Sequence, residues 1–308
     1  MEFFKTILPY ILAGISVGGQ YALISIGYTM VYGILRLINF AHGDIFMAAG
    51  LIMVYLAQAL PLYLAIPIVI ISIAAIGFCI ERAAYKPLRN APRMSVMISA
   101  IGVSYLLQSL ALYITGGLTK NYPQIPWISD SITVFGVVTK RVTAVTPFLT
   151  VALVIALILL INHTKLGMAM RAVAKDFETS QLMGIKINNV ISATFAIGSF
   201  LAAIGSMLYF TNYPGVFPTA GAMSGLKAFV AAVFGGIGSI PGAVLGGILI
   251  GISESVIKGM DTVLVHIGAI PAPLELATFS DAFTFVLLII ILVFKPSGLF
   301  GEKAAEKV

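Results

Sequence analysis

Between Lys5 and Arg36 the chain runs for thirty residues without a charged side chain. It does so again over 45–80, 94–119, 142–164, 187–226, 228–253 and 282–294. A helix of about 20 apolar residues spans the roughly 30 Å hydrocarbon core of a bilayer. Several of these stretches hold one crossing, and three are long enough for two. Lipid offers no partner to backbone N–H and C=O groups, so spanning segments are helices or the strands of a closed barrel. Barrel strands read as alternating segments of about ten residues; these runs are continuous. The expected fold is therefore all-α, one polytopic membrane bundle over 1–308 with eight to nine helices, some broken or re-entrant. The spans fall at 8–31, 45–60, 62–80, 96–115, 147–162, 190–211, 221–236, 240–257 and 278–294.

Composition agrees. Apolar residues make up 59% of the chain and charged residues 10%, against about 25% charged in soluble domains; mean hydropathy is +1.05. The single cysteine, Cys79, excludes an internal disulfide framework and a cysteine-based metal cluster. The net charge of +6 sits in a few short loops, where it orients the chain in the bilayer rather than binding nucleic acid. The first apolar run is too long for a signal peptide core and has no small-residue cleavage site after it, so it reads as a retained helix.

The 81–95 loop carries Arg82, Lys86, Arg89 and Arg93 against Glu81, and the 163–189 loop carries Lys165, Arg171, Lys175 and Lys186 against Asp176 and Glu178. Two crossings separate them, so both face the cytoplasm under the positive-inside rule. The 116–146 stretch then lies outside, with Phe135–Arg141 as a short hairpin. Nine spans put the N-terminus outside and the C-terminus in the cytoplasm; a half-helix that turns back at 45–60 or 221–236 changes that count and leaves the side of the N-terminus open. Two stripes of small residues, Gly14–Gly18–Ala22 and Ala243–Gly247–Gly251, are the pattern that lets helix backbones approach closely in lipid.

Two segments interrupt the apolar pattern. RLINFAHGD, 36–44, places Arg36, Asn39, His42 and Asp44 between two apolar runs. A charge at membrane depth costs about 2.5–3.5 kcal/mol on the insertion scale. Asp44 is placed to cap a helix beginning at Ile45. The segment is either an interfacial loop or a discontinuous helix whose polar ends line a translocation path. The second segment is 225–247. Its Lys227 is the only charge from Ile187 to Ser253, and it either snorkels to an interface or faces the path. Gly235, Gly236, Gly238 and Pro241 then break the run, at a place comparable to the first break. No phosphate-binding glycine loop is present, because no lysine follows these glycines. His42, His163 and His266 have no metal-ligand spacing. Residues 168–183 read as an amphipathic helix, with Met168, Ala172, Phe177 and Leu182 opposite Arg171, Lys175, Asp176 and Glu178, ending at Gly184. Such a helix lies on headgroups or docks in a groove of a soluble partner.

Glu178-Thr179-Ser180, followed after three residues by Gly184, resembles the Glu-Ala-Ala-x-x-x-Gly signature of ABC importer permeases. Thr179 and Ser180 replace its alanines, and the downstream I-x-L-P is absent. INFAHGD (38–44), AYKPLR (84–89), RAVAKD (171–176), KAFVAAVFGGIGSIPGA (227–243) and PSGLFG (296–301) resemble the branched-chain amino acid ABC importer permeases, most closely the shorter of the two paired subunits. The resemblance covers nearly the whole chain. It implies an inner-membrane permease, not an enzyme, for leucine, isoleucine and valine. Its partners would be a second, related permease, two cytoplasmic ATPases and an extracytoplasmic substrate-binding protein. ATP would be bound by the partner subunits, with no cofactor in this chain. Asn39, His42, Asp44 and Lys227 are then the expected path residues, and Arg171, Asp176, Glu178, Thr179 and Gly184 the expected ATPase-coupling residues. Other amino acids, amides, urea or sugars are alternative cargoes of such permeases. The rivals from other classes are a self-sufficient secondary transporter coupled through Asp44, Glu254 or Lys227, and an intramembrane enzyme using His42 and Asp44 as an acid–base pair.

Overall fold

A computed structural model describes residues 2–89, 91–134, 136–266, 275–295 and 297–301. Among these residues twelve α-helices carry the fold: α1 (Glu2–Leu35), α2 (His42–Ala59), α3 (Leu62–Ile80), α4 (Arg93–Thr115), α5 (Pro126–Ser129), α6 (Arg141–His163), α7 (Lys165–Lys175), α8 (Phe177–Leu182), α9 (Ile187–Asn212), α10 (Ala220–Gly235), α11 (Ile240–His266) and α12 (Ser280–Phe294). Among the described residues, strands are confined to two small antiparallel pairs: β1 (Lys120–Asn121) with β4 (Gly215–Val216), and β2 (Ser131–Val134) with β3 (Val137–Lys140). The hairpin expected from Phe135 thus begins earlier, at Ser131.

Eight helical segments among the described residues are long and apolar enough to cross a membrane. The stretch expected as a ninth span, 221–236, is α10, only 16 residues long. At 1.5 Å per residue it covers about 24 Å, short of the hydrocarbon core. α1, α2 and α9 are the most enclosed spans, and α4, α6 and α12 lie at the rim.

The two small-residue stripes pack against each other. A β-carbon added at Gly14 would stand 2.7 Å from the Ile252 Cα, one at Gly18 2.6 Å from the Ile248 Cα, and one at Gly247 2.6 Å from the Ala22 nitrogen. The order of these contacts makes α1 and α11 antiparallel, with backbones touching where lipid gives no hydrophobic drive for association. α9 is antiparallel to α1 as well, since Gly198 abuts Gly27 and Gly205 abuts Gln20. α1 therefore ends where α7 and α8 lie and begins at the hairpin end. Leu299 and Phe300 donate backbone hydrogen bonds to Phe234 and Gly235 at the C-terminal end of α10 (both 2.9 Å). The start of α1 and the last described residues thus stand at opposite ends of the bundle.

The amphipathic segment is two helices. Thr164 caps α7, its hydroxyl accepting from the Gly167 N–H (3.0 Å), and Asp176 caps α8, accepting from the Thr179 N–H (3.0 Å). The inward face is Gly167, Met170 and Val173 with Ser180. Met168, Phe177 and Leu182, expected on the apolar face, are exposed. α8 closes in a Schellman motif: the Ile185 N–H reaches the Ser180 carbonyl (3.1 Å) and the Gly184 N–H the Gln181 carbonyl (3.0 Å). Gly184 has φ +84°, the left-handed angle expected of it.

Candidate functional site

The turn at 36–41 does not carry the chain back to the end of α1. Arg36, at φ +54°, stops α1, and the chain doubles back until His42 packs against Gly27 and edge-on to Tyr28, with ring centroids 4.9 Å apart. Gly27 lies eight residues before the end of α1, so α2 starts about 12 Å inside the bundle. The N-terminus of α10 arrives at the same depth. A β-carbon at Gly43 would stand 2.8 Å from the Gly225 Cα, and one at Gly221 would stand 2.9 Å from the Asp44 Cα. Two helix N-termini meet there, backbone to backbone, and only glycine permits the approach. The segment that completes the 36–44 break is therefore the turn before α10, Tyr213–Thr219, and not the glycine run at 235–241, which merely links α10 to α11.

Asp44 was expected to cap a helix starting at Ile45. The helix instead starts at His42, and Asp44 lies in its first turn with its side chain reaching across to α4. Its carboxylate accepts from the Ser104 hydroxyl and from Gln108 Nε2 (3.0 Å). Ser104 is the midpoint of α4, eleven residues from either end, so a carboxylate is held at the centre of a crossing. The positive ends of α2 and α10 favour negative charge at this point. Beside it lies a cleft of about 330 Å³ between α2, α4 and α10, walled by Phe40, Ile101, Tyr105, Leu226 and Phe229. The rim residues Ile101, Tyr105 and Leu226 are exposed, so the cleft opens sideways on the bundle.

Of the four expected path residues, only Asp44 lines this cleft. Asn39 is buried and accepts from the Tyr85 hydroxyl (2.7 Å). His42 is buried with Nε2 unpaired, turned into the α1 packing. Lys227 does not snorkel: it is buried, and its ammonium binds Glu254 (2.8 Å) and Asp281 (2.6 Å). Glu254 also accepts from the Tyr21 hydroxyl (2.9 Å) and pairs with Lys258. The network pins short α10 to α11 and α12. Sequence reasoning missed Ser104 and Gln108, although a polar pair spaced i, i+4 on an otherwise apolar helix is a readable signal.

A second polar cluster sits where α3 approaches α9. Glu81, fully buried, accepts from Arg89 and from the Ser192 hydroxyl, and Arg89 also reaches Asn188. The backbone from Glu81 to Tyr85 takes a π-helical turn, a form frequent at functional sites. Further on, Arg171, Asp176, Glu178, Thr179 and Gly184 are all exposed on α7, α8 and the following turn. The two hydrogen bonds that Asp176 accepts from Thr179 hold its carboxyl below the usual carboxylate range.

Closely packed apolar helices, a sideways cleft with a fixed carboxylate at mid-depth, and exposed short helices at one end define a multi-pass membrane permease. The sequence profile of the family described as "branched-chain amino acid transport system / permease component" matches residues 10–292. The chain is 38% identical to a high-affinity branched-chain amino acid transport system permease protein of Pseudomonas aeruginosa, over 98% of both chains. It is 37% identical to the corresponding protein of Salmonella typhimurium, over 100% of this chain and 99% of that one. A ribose import permease of Haemophilus influenzae is more distant, at 24% identity over 78% of this chain and 74% of that one. The chain belongs to the family of permease components of branched-chain amino acid transport systems.

Proposed function

We propose that this chain is one of two related permease subunits of an ATP-driven importer for leucine, isoleucine and valine in the bacterial cytoplasmic membrane. Two cytoplasmic ATPases and an extracytoplasmic binding protein complete the assembly. The observation that carries the reading is the Asp44 cleft. A carboxylate beside a lateral opening at mid-depth is too costly to leave against hydrocarbon, so the opening faces a second permease, and the path runs between the two. Family membership supplies the substrate class.

The exposed end formed by α7 and α8 is the docking surface for an ATPase. It presents Phe177, Leu182 and Met183 beside Glu178, an apolar face with a charged edge. With that end in the cytoplasm, the antiparallel order of the helices puts the start of α1 outside and residues 297–301 inside. ATP binding then closes the ATPases, moves α7 and α8, and shifts the bundle between inward and outward access.

The test is leucine uptake into proteoliposomes holding the chain with its paired permease and ATPases, with binding protein added to the side opposite ATP. Uptake requires ATP and binding protein under this reading. Uptake by this chain alone, driven by an ion gradient, would instead establish the secondary-transporter rival. Uptake of ribose in preference to leucine would overturn the substrate class. Sidedness is read by labelling Leu182→Cys with an impermeant reagent in a Cys79→Ser background, where intact cells should stay unlabelled.

A further inference from the structure

The translocation reading leaves open what Asp44 does to a solute in the cleft, and the local chemistry answers it. An ionised carboxylate offers about four acceptor sites. Two are taken by Ser104 and Gln108, donors that lie 4 residues apart on α4 and hold the group in one orientation. Among the described residues no arginine or lysine is paired with Asp44; the nearby Lys227 is committed to Glu254 and Asp281. Asp44 is thus a carboxyl group fixed by hydrogen bonds and, among the described residues, paired with no arginine or lysine, and it borders a cleft whose remaining wall is largely aromatic and aliphatic. A structural carboxylate would be paired within the protein, as Glu81 is with Arg89 and Glu254 with Lys227. The cleft volume falls at the small end of ligand pockets, which suits a single amino acid rather than a larger solute.

We infer that the Asp44 cleft is a solute subsite in which the Asp44 carboxylate receives the α-ammonium of an aliphatic amino acid while Phe40, Ile101, Tyr105 and Phe229 cover its side chain. The N-terminus of α10, at Gly221 and Ala222 on the same cleft, faces the α-carboxylate with its positive end. Ser104 and Gln108 are positioning residues: they fix the rotamer of Asp44 and do not need to touch the solute. This inference rests on the transport reading, and its test separates the two.

The complete importer in nanodiscs is irradiated with a diazirine analogue of leucine, and the adducts are mapped by mass spectrometry. Labelling is expected at Ile101, Tyr105 or Phe229. Excess leucine and 3-methylbutylamine, which keep the ammonium, should suppress it. 4-Methylpentanoate, which lacks it, should compete about ten- to a hundredfold less well, the worth of one charged hydrogen bond. Asp44→Asn should lose the labelling and the amine competition, and Asp44→Glu should retain both in part. Ser104→Ala should weaken labelling with the same order of competitors. Wild-type, ATP-driven leucine uptake in the same preparation checks the transport reading independently. If uptake is present but adducts map elsewhere, or if Asp44→Asn labels as wild type does, the subsite is refuted and the importer stands. If uptake is absent, the transport reading itself falls.

Discussion

Breaking the ion network around Lys227 yields a graded prediction. Removing one partner of a buried ion pair costs about 3–5 kcal/mol, because the other charge is left uncompensated. The two single variants are not equivalent here. Lys227→Met strands two carboxylates, but Glu254 keeps Lys258 and the Tyr21 hydroxyl, and Asp281 is 39% exposed and can turn to water. Its cost should fall near about 3 kcal/mol. Glu254→Leu leaves the buried Lys227 with Asp281 alone and orphans the Tyr21 hydroxyl, a buried donor worth about 1–3 kcal/mol when unpaired. Its cost should approach about 5 kcal/mol. The double variant Lys227→Met/Glu254→Leu removes both charges and should be less destabilised than Glu254→Leu alone. At about 2 °C per kcal/mol for a chain of this size, thermal unfolding in detergent should show losses of roughly 6 °C and 10 °C for the singles. Additive losses in the double variant, or singles within 1 °C of wild type by this measure, would refute the claim that this network pins α10 to α11 and α12.

Gly184→Val forces a β-branched residue into φ +84°, at a strain of about 1–3 kcal/mol; no other atom lies close enough to clash, so the membrane helices should stay folded while ATP-driven uptake and binding-protein stimulation of ATP hydrolysis are lost. Glu178→Arg reverses the charge on the exposed edge of α8 and should weaken ATPase recruitment, read by co-purification. The Asp176 carboxyl is depressed by its bonds to Thr179, so its capping of α8 is fully present above the unfolded carboxylate pKa and is lost as pH falls through the lower folded value; Asp176→Asn should retain capping with that acid dependence removed, checked by hydrogen exchange at Thr179. Tyr85→Phe deletes the bond to Asn39 and should lower transport per ATP hydrolysed without lowering ATPase docking, whereas unchanged stoichiometry would make the bond purely structural.

The membrane-spanning helices were legible because the bilayer demands long uninterrupted apolar runs, and the close helix approach at the two small-residue stripes was legible because small residues every four positions favour it; that the two stripes face each other on α1 and α11 was not. Three further things were hidden. Asp44 looked like a local cap, since a carboxylate just before an apolar run is the usual mark of a helix start; its true partners are 60 and 64 residues away. Lys227 looked like a snorkelling or path-facing residue because its counterions, Glu254 and Asp281, sit on other helices. The single amphipathic helix became two because Asp176 accepts from Thr179 and restarts the chain, a capping pattern present in the sequence but outweighed there by the longer periodicity. In each case a tertiary contact or a cap overrode a correct local pattern.

Contacts between the cleft and the exposed helices are continuous. α8 ends in the Schellman turn that leads into α9, where Asn188 and Ser192 meet Arg89 and Glu81. Glu81 opens the π-helical turn whose last residue, Tyr85, holds Asn39, and Asn39 accepts the His42 N–H at the start of α2 (3.1 Å). Asp44 follows in the first turn of that helix. Contiguity alone does not establish coupling, which requires an element with two arrangements that both sites bias. The Tyr85→Phe variant tests whether the π-helical turn takes that part: coupling through it requires that its i→i+5 bonds revert to α-helical ones and turn Tyr85 away from Asn39. A push on α8 that shifts Asn188 would then release the loop at 36–41 and re-aim Asp44 within the cleft.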